Sequence, residues 1–247
     1  ERQDALKLRD WLVHRGLAGS SVTRNFSYVK AVYNFAASEN ALNISNPFSG
    51  VYFDRNAGVK RRKPIPNDQL HRIQLECQKL DDDIRWLVAL LSDSGMRLAD
   101  AAGLAIEDIH LNCEIPFIQL KKHPWRSLKT ASSERKVPLA GHSLWAAQRI
   151  MCNHGGHLHA FLRYNARDTT SANSASAALN KWLKDFVEKG CTIHSFRHSF
   201  RDRLRAVSCP GDIIDQLGGW RTAGVGQGYG EGYPVNVMAD WVQKIAY

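Results

Sequence analysis

Apolar residues recur at helical spacing from the start of the chain. Ala5, Leu8, Trp11 and Leu12 mark one face over residues 4–15, and Gly16 stops the run. Val22, Phe26, Val29, Tyr33 and Ala36 mark a second face, predicting a helix from Ser21 to Glu39 with Arg24 and Lys30 off the stripe. Asn46-Pro47 then breaks the chain, because a residue before proline avoids the helical region. Asn67 or Asp68 can cap a helix reaching Lys79. The nearly unbroken apolar block IRWLVALL predicts deep burial for a helix over Asp82–Asp93. Ser94-Gly95 closes it, and a short helix containing Arg97 is expected to end near Gly103. Ile109–Leu111, Ile115–Leu120 and Glu134–Leu139 read as strands of a small antiparallel sheet, with Lys129 in the polar turn before the last. Helical patterning returns near Ser143–Met151, Ala175–Val187, Ser195–Val207, Gly211–Leu217 and Val235–Ile245.

The fold class expected from this order is mainly α with a small antiparallel β-sheet, an α+β domain preceded by a small helical one. The boundaries expected are a helical module over residues 1–53, a basic linker over 54–66 and a larger domain over 67–247. The linker carries Gly58, two prolines and the run Lys60, Arg61, Arg62, Lys63. The first module reads as incomplete. The chain opens on Glu1 rather than Met, so more native sequence is expected upstream.

Charge narrows the choice of partner. The net charge is +9 over 247 residues, which favours a polyanion; duplex nucleic acid or a membrane surface would both satisfy it. No apolar run approaches about 18 residues, so no bilayer span and no membrane partner is expected. The five cysteines are odd in number and lack a C-x-x-C, which points to reduced thiols and a cytoplasmic setting.

The chemistry gathers between Thr192 and Gly230. His194 and Arg197 stand one helical turn apart, Trp220 follows, and Tyr229 lies nine residues beyond it. A phosphodiester gains charge on its non-bridging oxygens as it is attacked, and cations held ready there lower the barrier. Arginine suits that task, because its planar fork grips two oxygens and keeps its proton. Arg97 and Arg197 are the two expected clamps, although they are far apart in the chain. Ser195 could cap the helix that follows His194, whose imidazole could donate to a phosphate oxygen or manage the attacking group's proton. Tyr229 is the candidate nucleophile, Lys129 the candidate acid for the leaving oxygen, and Trp220 a donor and packing surface. Such chemistry needs no cofactor and no metal.

Five blocks in order carry a resemblance to the tyrosine recombinases of the phage-integrase type, over roughly residues 67–247. SGMRLADAAGLAIEDIHL resembles the block of the first catalytic arginine, Arg97, with Asp100 at the supporting acidic position. LKTASSERKVPL resembles the hairpin whose lysine maps to Lys129. TIHSFRHSF resembles the H-x-x-R-H block, giving His194, Arg197 and His198, the last as a support. LGGW resembles the block ending in His or Trp, here Trp220, and the nucleophile's place beyond it gives Tyr229. Glycines at 224, 226, 228, 230 and 232 surround that tyrosine and leave Tyr233 as second choice.

The resemblance implies a site-specific recombinase that cleaves and rejoins duplex DNA through a phosphotyrosine. It implies four protomers on paired recombination sites, with the free chain open to being a monomer. The expected host is bacterial, with the protein on the nucleoid when bound and encoded by a phage or mobile element. Lys60, Arg61, Arg62 and Lys63, with Lys121 and Lys122, are the candidates for phosphate contacts along the DNA backbone. Two other functions fit the same residues: relaxation by a type IB topoisomerase-like monomer, and a DNA-binding protein without catalysis.

Plainer readings stand beside these. Arg201, Arg203 and Arg205 alternate and read mostly as a solvated or DNA-lining face. Cys152, His154, His157 and His159 match no closed metal pattern. Val237, Met238, Trp241, Val242 and Ile245 form one stripe, suited either to packing on their own domain or to docking on a neighbouring protomer.

Overall fold

The computed structural model describes residues 1–60, 62–166, 168–220 and 232–247. The chain divides into two compact units, Glu1–Arg61 and Arg62–Tyr247. Among the described residues no helix is long and apolar enough to cross a membrane.

The first unit holds helix α1, Arg2–His14, and helix α2, Gly19–Glu39. Ala5 and Leu12 meet Val22, Phe26 and Val51 in a small core. Gly19 opens α2 because the backbone at Asp54 would lie 2.2 Å from any Cβ placed there. Its N–H donates to Ala57 O at 2.7 Å, so the start of the expected linker lies against this unit. The apolar stripe of α2 is buried only in its first half. Ala36 is exposed, and so are Tyr28, Val32 and Phe35 on the outer side.

The second unit is built on helix α4, Asp83–Ser94, whose residues from Leu87 onward are all buried. Helix α3, Asn67–Leu80, and helix α6, Gly141–Asn153, pack against it. Asp82 caps α4 by accepting from Arg85 N–H at 2.9 Å. Gly95 ends it at φ +61°, with the Phe200 ring where a Cβ would stand. Helix α5, Leu98–Ala102, follows. Three antiparallel strands come next in the order β1 (Ile109–His110), β2 (Phe117–Leu120) and β3 (Arg135–Pro138), with Ile118 opposite Val137. A short hairpin of β4 (Asn165–Ala166) and β5 (Thr169–Thr170) precedes helix α7, Ala172–Leu183. Helices α8 (Ser195–Ala206), α9 (Gly211–Gly218) and α10 (Val235–Gln243) complete it. The mainly helical class with a small antiparallel sheet is therefore the observed one.

Several expectations need correction. Pro66 takes the cap position of α3, and neither Asn67 nor Asp68 caps it by side chain. Arg97 is not inside a helix; it is the extended residue before α5, at φ −73° and ψ 146°. Ser195 does not cap α8, because its hydroxyl accepts from Thr192 N–H at 3.0 Å instead. Helix α7 starts and stops several residues earlier than the apolar pattern implied, since its polar first turn carries no periodic signal. Arg203 is no solvated charge: it is 5% exposed and paired with Asp93 at 2.8 Å. Of the two readings of the last apolar stripe, packing on its own domain is the one observed, with Met238, Val242 and Ile245 buried beside Phe200 and Leu217.

Candidate functional site

The site forms around the C-terminal turn of α9. Gly219 sits at φ +62° and closes the helix: its N–H donates to Gln216 O at 3.2 Å, and the Trp220 N–H to Asp215 O at 2.9 Å. The next three carbonyls, those of Leu217, Gly218 and Gly219, are free of that closure and carry the helix's negative end. Each takes a guanidinium. Arg135 Nε donates to Leu217 O at 2.9 Å, Arg197 Nη2 to Gly218 O at 2.9 Å and Arg97 Nη2 to Gly219 O at 3.1 Å. Residue 218 must be glycine, since the Trp220 ring lies 1.9 Å from where its Cβ would be.

Second contacts fix each arginine. Arg197, 4% exposed, also donates to Gly95 O at the end of α4. Arg97 donates to Ser133 Oγ at 2.7 Å and lies 3.6 Å from Asp100 Oδ2. Arg135 donates to Ser133 O at 2.9 Å. Burial first, then the neighbouring guanidiniums, pulls Arg197 down to about 9; burial pulls Arg135 down to about 10. Both stay charged near neutrality. Among the described residues Asp100 is the carboxylate beside Arg97, Arg135 and Arg197, and its Oδ2 accepts no hydrogen bond.

His194 immediately precedes α8 and is half-buried, with the exposed His198 ring edge-on at 5.6 Å. Burial, followed by repulsion from Arg62, Arg197, His198 and Arg97, holds its imidazole down to about 4. It is therefore neutral at pH 7, with one donor nitrogen and one acceptor. Trp220 presents its ring to the guanidiniums of Arg197 and Arg201, whose carbons stand 4.6 and 4.8 Å from its centre. Arg201 also pairs with Asp215 at 2.9 Å.

The other candidates are less closely gathered. Lys129 is exposed in the loop between β2 and β3, and no hydrogen bond or ion pair holds it among the described residues. Its neighbour Thr130 shares a hydroxyl contact of 2.9 Å with Ser133 Oγ, the acceptor of Arg97. Lys60, Arg62, Lys63 and Lys122 are exposed, and Lys121 pairs with Glu107 at 2.9 Å. Arg61 and Tyr229 lie outside the described residues. Tyr233 is anchored: its hydroxyl donates to Asp212, and Gln216 bonds both its N–H and its carbonyl, at 2.8 and 2.9 Å. That bond to Asp212 raises the phenol's pKa.

Sequence reasoning missed Arg135 and Ser133. The signal for Arg135 was strand alternation, since it shares the inward side of β3 with Val137 while Lys136 faces out. The His and Cys residues between 152 and 159 do not assemble. Among the described residues, the one trio close enough to share an ion is Glu107, Asp108 and His123. Its carboxylates are already taken by Lys121 and by the buried Arg126.

Known proteins share this arrangement of elements. The sequence signature of the Phage integrase family matches residues 63–231. Tyrosine recombinase XerC of Vibrio vulnificus is 23% identical over 205 residues, covering 78% of this chain and 60% of that protein. Tyrosine recombinase XerD of Halalkalibacterium halodurans is 24% identical over 204 residues, covering 78% and 64%. The match thus spans about three fifths of those relatives' length. The Tn1549 transposon integrase, solved with circular intermediate DNA, shares the fold at a TM-score of 0.65 and 18% identity, covering 92% of this chain and 83% of that one. A lambda integrase tetramer bound to a Holliday junction does so at 0.62 and 13%, covering 91% and 62%.

Proposed function

The chain belongs to the phage integrase family of tyrosine recombinases, and from that premise we propose that it cleaves and rejoins duplex DNA at specific sites through a covalent phosphotyrosine. The observation that carries this reading is the meeting of Arg97, Arg135 and Arg197 on three successive carbonyls, beside a single carboxylate among the described residues. Such a group has positive charge to spare. A phosphodiester supplies the missing anion, and its pentavalent transition state supplies more of it.

In the proposed step the Tyr229 oxygen bonds to phosphorus, and its proton passes to the neutral imidazole of His194. The bond from phosphorus to the leaving deoxyribose oxygen breaks, and that oxygen takes a proton from Lys129. Arg97 and Arg197 hold the non-bridging oxygens. Trp220 packs against Arg197 and keeps water from one side of its guanidinium. Asp100 orients Arg97, and His198 flanks His194. Rejoining is the reverse attack by a free deoxyribose hydroxyl. Tyr229 is preferred to Tyr233, whose hydroxyl and backbone are both occupied on α9.

The exposed cations Lys60, Arg62, Lys63 and Lys122, with Arg61, then contact the duplex backbone. Four protomers act on two sites inside a bacterial cell. The test uses duplexes selected from a random-sequence library by the wild-type chain, each with a nick that lets the cut fragment escape. Wild type should accumulate a covalent adduct that mass spectrometry maps to Tyr229, and Tyr229→Phe should bind but form none. An adduct on another residue, or none at all, rejects the assignment, the latter in favour of a binding protein. Relaxation of any supercoiled plasmid by a monomer would favour a topoisomerase.

A further inference from the structure

We propose that Arg135 is a positioning residue that locks the β2–β3 loop, and Lys129 with it, against the C-terminal turn of α9; this rests on the reading of Lys129 as proton donor. The first observation is its span. One side chain reaches α9 through Nε to Leu217 O and the loop through Nη1 to Ser133 O, both at 2.9 Å.

The second is the tightness of that junction. A Cβ at residue 219 would stand 2.6 Å from Arg135 Nη1 and 3.0 Å from Ser132 O, so the loop and the helix end close on one another without room for a side chain. The third is burial. Arg135 is 8% exposed and lies near another guanidinium, Arg97, an expensive place for a charge that serves only to fill space. An apolar residue on an inward strand position would fill it more cheaply.

Ser133 completes the link. Its carbonyl takes Arg135, its hydroxyl takes Arg97, and the same hydroxyl meets Thr130 Oγ1, one residue after Lys129. Lys129 itself has no bonded partner among the described residues. Its placement therefore depends on the turn that follows it, and Arg135 ties that turn to the helix end on which Arg97 and Arg197 also sit.

This role predicts a defect that falls mainly on proton delivery, beside the smaller loss of Arg135's own charge from the group. A sulfur in place of the leaving deoxyribose oxygen departs as a thiolate and needs no proton, because thiols ionise near pH 8.5 whereas alcohols do so far higher. The experiment uses the full chain and the selected duplexes, made in an oxygen and a bridging-sulfur form, with single-turnover adduct formation, duplex affinity and melting temperature as readouts. Arg135→Ala and Lys129→Ala should each slow the oxygen form by about a hundredfold, the lower range of a general-acid contribution. Lys129→Ala should approach wild-type speed on the sulfur form and Arg135→Ala should recover most of its loss there, whereas Arg97→Ala stays slow on both. Arg135→Lys should fall between wild type and Arg135→Ala, since an ammonium reaches one carbonyl in place of two.

Arg135→Ala that is equally slow on both forms, or unimpaired on oxygen, overturns the proposal. If that variant does not fold, Arg135→Lys decides by the same comparison of oxygen with sulfur. A wild type without adduct rejects the recombinase reading and this proposal together. Lys129→Ala without sulfur rescue rejects the lysine's role and the proposal with it. A rescued Lys129→Ala beside an unrescued Arg135 variant rejects the proposal alone.

Discussion

Arg197 and Arg203 leave the same helix, α8, less than two turns apart, and both are buried, at 4% and 5% exposure. Their surroundings differ in one respect. Arg203 ends on Asp93, which also accepts from Gln74 Nε2 and from the His142 N–H at 3.0 Å, so its charge is matched inside the core. Arg126 is matched in the same way by Asp108 at 3.0 Å. Arg197 ends on backbone carbonyls and shares Asp100 with Arg97 and Arg135. The negative end of α9 offsets part of that excess, but a helix terminus carries only about half an elementary charge. Burial therefore does not tell the two arginines apart. The counter-charge does: a matched arginine specifies packing, and an unmatched group is a standing invitation to an anion.

Substitution should pull the two arginines apart. Arg203→Met leaves Asp93 charged and uncompensated, and should cost roughly 3–5 kcal/mol in urea unfolding, with adduct formation per folded molecule little changed. Arg197→Met should slow adduct formation by roughly 10²–10³-fold, about 2.7–4 kcal/mol of barrier, because it removes a charge aimed at the transition state. Its stability should fall by less than that of Arg203→Met, since two carbonyls lose a donor but no buried charge is left unpaired and a repelled cation leaves the group. If Arg203→Met proves as stable as wild type, or Arg197→Met unfolds the protein, the distinction by counter-charge is wrong.

That distinction was only half legible in the sequence. The burial of α4 could be read from IRWLVALL, because an unbroken apolar block has nowhere to face but inward. The ordered motifs brought Arg97, Asp100, His194, Arg197 and Trp220 forward, and the fold gathers them. Periodicity could not show that Arg97 stands in an extended turn between two helices, since no pattern marks where a backbone bends. It also misread Arg203, because a charged residue looks solvated until its buried partner, 110 positions away in the chain, is known. Arg135 was hidden for the same reason: its acceptors are carbonyls, and every residue has one. Tyr229 was named from spacing and lies outside the described residues.

His194 tests the unmatched side by pH. Its imidazole is held down to about 4 in the folded chain, whereas a histidine in an unfolded chain titrates near 6.5. Between those values the unfolded chain binds a proton that the folded one refuses. The contribution to stability is thus whole above pH 6.5 and is lost as pH falls through 4. His194→Gln should flatten this part of the curve. The melting temperature of wild type relative to the variant should drop between pH 7 and pH 4.5, modestly, because the ring is only half-buried. A difference that stays constant over that range would mean that neither burial nor the neighbouring cations act on His194 as its position implies.

The smallest effect repeats the comparison on the surface. Lys121 and Lys122 are adjacent, but Lys121 already touches Glu107, while Lys122 has no carboxylate within ion-pair distance among the described residues. An exposed pair is worth no more than about 1 kcal/mol, so Glu107 weakens the lysine's hold on a phosphate without forbidding it. Each phosphate contact contributes about 0.9 to the slope of log affinity against log salt. Lys122→Ala should therefore lower that slope by nearly one unit, and Lys121→Ala by clearly less. Glu107→Gln frees Lys121, and should steepen the slope and tighten binding at low salt. Equal losses from the two lysines, with no gain from Glu107→Gln, would show that a matching carboxylate governs a cation's use only where water cannot screen it, and would confine the rule to the interior.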